Sequence, residues 1–411
     1  MLRRATRVLV AGGAAAAWIL CATAATAVPA ASPLTAAAAA AAAESIAAIP
    51  LPSHAAAFET AFGTTQQTHT LTSVYSPISA PPPPHRAVDP RFSSLPQRTL
   101  SDILDDALDR FGVDRVEDLP PVPASYDPRF DPRYNSSCPS LFSVRDQGNC
   151  GADWASSVVS ALSDRICMEN FGSPAPQLAI EDVLSCCGWE CGMGCSGGYA
   201  SAAWEYLHTS GVVSGGDYNT SGADGGCYPY SIPPCNLMRN GTIVQPCDSI
   251  PGQTLTPVCT QTCQNNGTEW EHDKYCSHRP YALPNNSTLI ETELFYNGPV
   301  TATMDIFQDF PTQIGGAVYS YSKGHWISAL SFKIIGYGVD NFGSGLLYPY
   351  WLATNSWGRG WGGFCPPKRD MQGPGGFFKV RTQHAQALLQ CETDEAAGDN
   401  ASRESNAAGE T

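Results

Sequence analysis

The first run of apolar residues at helical spacing lies well inside the chain. Ile103, Leu104 and Leu108 fall on one face of a helix over residues 100–111. Ser101 is predicted to cap its N-terminus, and Gly112 to end it, because glycine tolerates the left-handed conformation that closes many helices.

A second helical pattern predicts a buried helix that begins near Asp153. Val158, Leu162 and Ile166 recur at intervals of four residues up to Met168. Strand-like alternation appears only later, in residues 333–339 and 350–354. A helical first half followed by a strand-rich second half predicts an α+β fold.

The ends of the chain lack such patterns. Residues 28–122 contain an alanine run at 36–43 and a proline run at 81–84, so we expect this region to be mostly disordered, with the helix at 100–111 as its one regular element. The globular unit is predicted at 123–391, and residues 392–411 form a polar tail that is predicted to be disordered.

The first 27 residues resemble an export signal. Arg3, Arg4 and Arg7 precede an apolar stretch from Val8 to Cys21, and small residues suited to cleavage follow. A membrane anchor is the alternative, but the stretch is shorter than the roughly 20 residues that a spanning helix needs. We therefore predict a signal peptide over 1–27, a protein of the secretory pathway, and no membrane anchor after cleavage.

Charge excludes two classes of partner. With 23 Lys and Arg against 38 Asp and Glu, the formal net charge is -15, which repels nucleic acid and anionic membranes. The destination expected from these features is extracellular or lysosome-like.

The number and positions of the cysteines also indicate an exported protein. Of the 16 cysteines, all but Cys21 lie between Cys138 and Cys391, a density that indicates disulfides. The cysteines and histidines do not show zinc-site spacings, so neither a metal nor another cofactor is predicted. Glycosylation sequons occur at Asn135, Asn219, Asn240, Asn266, Asn285, Asn286 and Asn400.

Four motifs carry a family resemblance. The segments Gln147–Trp154, Gly194–Gly198, Cys227–Cys235 and Asn355–Trp357 stand in the order found in papain-family cysteine peptidases, and the third resembles the start of the cathepsin B occluding loop. From about residue 123 to 390 the chain is similar to the cathepsin B-like branch. The resemblance implies a papain-like fold, with a helical left domain, a β-barrel-like right domain and a cleft between them.

The resemblance also assigns roles to residues of this cleft. Asn355 would orient a catalytic histidine, and Gln147 would donate a hydrogen bond to the oxyanion. The substrate would be held by a glycine strand and a tryptophan wall, formed by Gly197, Gly198, Trp357 and Trp361.

Two positions depart from the family pattern. Asp153 stands immediately before Trp154, where the family has its nucleophilic cysteine, and Leu330 stands six residues before Gly336, where it has histidine. His325 lies five residues too early, and an odd offset in a strand turns a side chain to the other face. Loss of both groups predicts loss of peptidase activity.

Some interpretations remain open at this stage. Asp153 is expected to cap a helix, although a carboxylate nucleophile is the alternative. Gly197, Gly198 and the two tryptophans could serve peptide binding or only the fold. The resemblance implies the disulfide pairs Cys138–Cys167, Cys150–Cys195, Cys186–Cys259, Cys187–Cys191, Cys227–Cys263 and Cys235–Cys247, with Cys276–Cys365 as a weaker guess.

Three functions compete. The leading hypothesis is a secreted, catalytically inactive peptidase homologue that binds a peptide or protein in its cleft. The alternatives are an active cysteine endopeptidase with an unorthodox site and a secreted adhesion or matrix protein. The sequence leaves the oligomeric state open.

Overall fold

The computed structural model describes residues 91–134, 137–170, 175–235, 237–239, 242–245, 247, 254–265, 267–312, 318–319, 324–340, 347–361, 376–381, 386–388 and 390–392. The predicted signal peptide, the low-complexity stretch up to residue 90 and the tail from residue 393 onward lie outside these ranges, so their predictions are untested.

The described α-helices lie between residues 100 and 296. Their bounds are α1 Leu100–Phe111, α2 Asp153–Glu169, α3 Ile180–Cys186, α4 Ala200–Thr209, α5 Gly222–Gly225 and α6 Ser287–Tyr296. Short 3-10 turns connect several of them.

The strands are β1 Leu237–Arg239, β2 Thr242–Gln245, β3 Arg279–Tyr281, β4 Val300–Phe307, β5 Val318–Tyr319, β6 Trp326–Asp340, β7 Tyr348–Thr354, β8 Phe377–Arg381, β9 Gln386–Leu388 and β10 Gln390–Glu392. Six of them form one sheet in the order β5-β8-β7-β6-β4-β9, in which only β5 and β8 run parallel. The pairs β1-β2 and β3-β10 are separate two-stranded ribbons.

Two hydrophobic cores divide the protein. The first belongs to the helical half, where α2 and α4 bury Trp154 and Trp204 almost completely. The second belongs to the sheet half, where α6 covers residues such as Phe332 and Trp351. This arrangement confirms the predicted α+β papain-like fold with two halves. The described strands form an open sheet whose edges are β5 and β9.

Helix α2 joins the halves. Its Asp164 and Lys333 of β6 form an ion pair in which both side chains are almost fully buried. Nearby, the Trp204 indole nitrogen donates to the Thr301 hydroxyl at 3.3 Å. Polar contacts from α2 and from α4 therefore hold the sheet against the helical half.

Helix α1 has the predicted extent but a different cap. The Thr99 side chain accepts from the Asp102 backbone, and the Asp102 side chain accepts from the Thr99 backbone. This reciprocal capping box means that the prediction of Ser101 as the cap was wrong. Gly112 ends the helix with φ of 65°, as predicted.

No helix within the described ranges is both long and apolar enough to span a bilayer.

Candidate functional site

Asp153 lies where the two halves meet. It is the first residue of α2, whereas the N-cap is Ala152, which makes no side-chain capping bond. The Asp153 carboxylate instead accepts from the backbone N–H of Ser331 in β6 at 2.6 Å. The prediction of Asp153 as the N-cap was therefore wrong, and the carboxylate bridges the helical half to the sheet half.

Burial sets the protonation of this carboxyl. It raises the pKa of Asp153 from 3.8 to about 6, while the N–H groups of Ser331, Asp153 and Trp154 oppose the shift by stabilising the charged form. Asp153 as a residue retains partial solvent exposure. Burial is therefore the larger effect, and the helix N-terminus reduces it.

Leu330 directly precedes Ser331, whose N–H is the hydrogen-bond partner of Asp153. It lies on β6 opposite Met304 of β4, is 3% exposed and belongs to the core of the sheet half. The structure thus brings the two predicted positions together, as the resemblance implies, with an aliphatic side chain at the second. His325 is exposed and precedes the start of β6, about 17 Å of extended chain from Leu330.

Gln147 uses its side chain inside the protein. The Nε2 atom donates to the Cys150 carbonyl at 2.7 Å, and Oε1 accepts from the Ser356 hydroxyl. Its backbone carbonyl accepts from the Tyr230 hydroxyl at 2.9 Å. These contacts fix the loop before α2 to the segment that carries Asn355.

Asn355 has a buried donor that is not used. The residue is 5% exposed, and its Oδ1 accepts from the Trp357 N–H at 3.2 Å. Its Nδ2 has no hydrogen-bond partner among the described residues. Because a buried donor without a partner is costly, this amide marks a place where a polar partner would be stabilised.

The two glycines of the predicted docking strand differ. Gly197 has φ of 108°, its N–H donates to the Gly194 carbonyl and its C=O accepts from the Met193 N–H. Gly198 has close packing instead, because an added Cβ would lie 2.5 Å from the Trp154 ring. Within the described residues, no hydrogen bond engages the Gly198 N–H or C=O, and the residue is partly exposed.

Trp357 and Trp361 belong to an aromatic cluster. Their rings meet edge to face at 5.3 Å, and both contact Phe310, at 5.7 and 5.2 Å. The Trp361 indole donates to the Pro311 carbonyl. The cluster gives both side chains a packing role, while each stays partly exposed.

All six disulfides implied by the resemblance are present. They are Cys138–Cys167, Cys150–Cys195, Cys186–Cys259, Cys187–Cys191, Cys227–Cys263 and Cys235–Cys247. Cys276 also forms a disulfide, with a cysteine whose side chain lies outside the described set, so its pairing with Cys365 remains a prediction.

Three of the sequons fall on exposed described residues, namely Asn219, Asn285 and Asn286. Asn286 also caps α6, because its Oδ1 accepts from the Leu289 N–H. The sequons at Asn135, Asn240, Asn266 and Asn400 lie outside the described residues.

Sequence reasoning missed three contributors to the site. Ser356 and Tyr230 lie inside motifs that the sequence does reveal, so their hydroxyls could have been considered. Ser331 gave no signal, because the group that it contributes is a backbone N–H, which almost any residue type would supply.

No group of three or more potential metal ligands occurs within the described part of the chain.

A helical half and a sheet half that meet at the N-terminus of a central helix define the papain-type class of fold. The model for the papain family of cysteine proteases matches residues 122–376, and the chain belongs to this family. A gut-specific cysteine proteinase of Caenorhabditis elegans is 37% identical over 263 residues, covering 64% of this chain and 69% of that protein.

A second relative carries a cathepsin B-like name. Cathepsin B-like cysteine proteinase 1 of Ostertagia ostertagi is 38% identical over 242 residues, which cover 59% of this chain and 66% of the relative. The solved structure of procathepsin B S9 from Trypanosoma congolense matches with a TM-score of 0.53 and 24% identity, over 73% of this chain and 83% of that chain. At that identity the structural likeness supports the fold alone.

Proposed function

We propose that this chain is a secreted cathepsin B-like protein without peptidase activity, whose cleft holds an extended peptide or a protein segment. The secretory route rests on the N-terminal signal and the disulfides, and the destination is extracellular or lysosome-like. The observation that carries the proposal is the carboxylate of Asp153, tied to the Ser331 N–H beside the aliphatic Leu330.

This arrangement lacks the chemistry of a cysteine peptidase. Catalysis requires a thiolate to attack the amide carbon and an imidazolium to protonate the leaving amine. Neither Asp153 nor Leu330 supplies these groups. In a serine peptidase, removing the nucleophile or the base lowers turnover about 10⁶-fold, equivalent to about 8 kcal/mol of barrier.

The remaining cleft supports peptide binding. Gly198 offers a backbone N–H and C=O that no other described residue engages, beside Trp154 and the partly exposed Gly197. Such a pair can hydrogen-bond an extended chain, as in recognition by strand addition. The close approach of Gly198 to Trp154 also explains the glycine structurally, so binding requires a direct test.

An active enzyme is the second candidate, since a carboxyl with a raised pKa near 6 could take part in acid–base chemistry. The Ser331 N–H occupies Oδ2 of this carboxyl, which disfavours that function. Adhesion through the exterior is the third candidate, and the exposed sequons are compatible with it.

The first experiment measures cleavage of a fluorogenic dipeptide substrate at acid and neutral pH. The native chain, Asp153→Cys and Asp153→Cys/Leu330→His are compared, each with and without a thiol-alkylating inhibitor. We expect no cleavage by the native chain and thiol-dependent cleavage by the double variant, since the Asn355 Nδ2, which has no partner among the described residues, can donate a hydrogen bond to an imidazole nitrogen. Cleavage by the native chain would overturn the proposal.

The second experiment tests binding by hydrogen exchange. A panel of blocked tetrapeptides is added to the native chain, and exchange of the peptide covering residues 196–199 is followed. Protection of the Gly198 amide supports the docking strand. Binding without protection there would place the ligand elsewhere and favour the adhesion hypothesis.

A further inference from the structure

Residues 91–122, which we call the N-terminal segment, lead up to the start of the family domain at residue 122 yet belong to its core. Ile103 and Ala107 of α1 are fully buried together with Ile290 and Leu294 of α6. Leu119 is also buried in this core. The segment thus fills the sheet half with apolar side chains, and its removal would expose them and leave a cavity.

Backbone pairing fixes the start of the segment. The Arg98 N–H donates to the Ala282 carbonyl at 2.9 Å, and the Ala282 N–H donates to the Pro96 carbonyl at 2.8 Å. This short parallel bridge continues from β3, so the segment is attached to the fold before α1 begins.

A buried carboxylate on α6 links the segment to α2. Glu293 of α6 is fully buried and pairs with Arg98 of the segment and with Arg165 of α2, at 3.4 and 2.7 Å. The Arg98 side chain is 2% exposed and also pairs with Asp106. Two arginines, Arg98 and Arg165, therefore balance the two carboxylates of Glu293 and Asp106, and the buried Glu293 avoids the large desolvation cost of an unpaired charge.

Arg110 makes the second attachment. Its guanidinium donates to the carbonyls of Tyr296, the last residue of α6, and of Met168, near the end of α2. A third bond reaches the Tyr134 hydroxyl at 3.1 Å. A cation at the C-termini of two helices satisfies their free carbonyls and complements both dipoles.

These attachments lie far from the candidate cleft. Asp153 begins α2, whereas Arg165 lies about 18 Å further along the helix axis. Directly after the segment the chain continues along the sheet half, where the Pro123 carbonyl accepts from the Tyr337 hydroxyl, about 23 Å along β6 from Leu330.

We propose that the N-terminal segment is a permanent clamp that fastens α2 to α6 at the end of the protein opposite the cleft. It is not a removable cover of that cleft, and ligand access does not require its release. The inference stands on the contacts of the segment and is independent of whether the cleft binds peptide.

The test cuts the chain where it is exposed. A site-specific protease sequence is inserted between Asp114 and Arg115, in a stretch whose side chains point to solvent. The purified full chain is cut and passed over a gel-filtration column under native conditions. We expect the N-terminal piece to stay with the domain and to separate only in denaturant.

Two variants of the cut chain show which contacts hold the piece. Arg110→Met keeps the aliphatic stem but loses hydrogen bonds from a charged donor, so the piece is expected to dissociate at least about tenfold more readily. Arg115→Ala is the matched control, because its ion pairs are exposed, and it is expected to leave retention unchanged. Release of the piece from the native cut chain, with the domain keeping its melting temperature, would overturn the proposal. Equal retention in Arg110→Met and the control would refute the role of Arg110.

Discussion

Replacing Asp153 by Asn separates the charge of this residue from its hydrogen bond. The Asn side-chain oxygen can still accept from the Ser331 N–H, but the variant cannot ionise at this position. The folded native chain holds the carboxyl at a pKa of about 6, against 3.8 as its ordinary value. Ionising Asp153 therefore costs more in the folded state than in the unfolded state.

Proton linkage determines whether the stability of the native chain rises or falls with pH. Well below pH 3.8 the carboxyl is protonated in both states, and its ionisation has no effect on stability. Between about pH 4 and 6 the unfolded state ionises first, so the native chain loses stability as the pH rises. A pKa shift of one unit corresponds to about 1.4 kcal/mol. The shift from 3.8 to about 6 therefore lowers the free energy of unfolding by at most about 3 kcal/mol. Partial exposure of Asp153 reduces this value, and we expect about 1–2 kcal/mol.

The assay is denaturant unfolding of the oxidised protein, followed by tryptophan fluorescence from pH 4 to 7.5. As the pH rises through this range, the free energy of unfolding of Asp153→Asn should increase by about 1–2 kcal/mol relative to that of the native chain. Asp105→Asn is the control, since it removes one exposed carboxyl from the acidic chain. Identical pH profiles for the native chain and Asp153→Asn would refute the argument from burial.

Three further perturbations test the packing around the site and the clamp. Gly198→Ala should lower the free energy of unfolding by about 1–3 kcal/mol, because the added methyl group meets the Trp154 ring; an unchanged melting temperature would contradict this. Lys333→Met should cost about 3–5 kcal/mol by leaving Asp164 buried and unpaired, whereas adding Asp164→Leu should restore much of the loss in denaturant unfolding. Thr99→Ala should cost about 1 kcal/mol in the same assay, and Thr99→Ser should restore it; equal stability of both would count against the capping box.

Much of the fold could be predicted because its signals are local. The apolar period over 100–111 and the glycine at 112 gave the extent of α1, since both act through neighbouring residues. The cysteine motifs led to six correct disulfide pairs through the family resemblance. The cap of α1 was missed because Thr99 and Ser101 are both good capping residues, and backbone geometry decides between them.

The sequence by itself determined the family, the α+β class and the two positions that depart from the family pattern, Asp153 and Leu330. Motif order and residue identity can be read directly along the chain. Only the tertiary structure decided what Asp153 does there. Its carboxylate finds a donor in Ser331, 178 residues away, and a backbone N–H has no signature in a sequence. The same holds for Arg110, whose acceptors are carbonyls at the ends of two helices. Such contacts depend on which backbone groups the folded chain leaves free, and that is settled only when distant elements pack together.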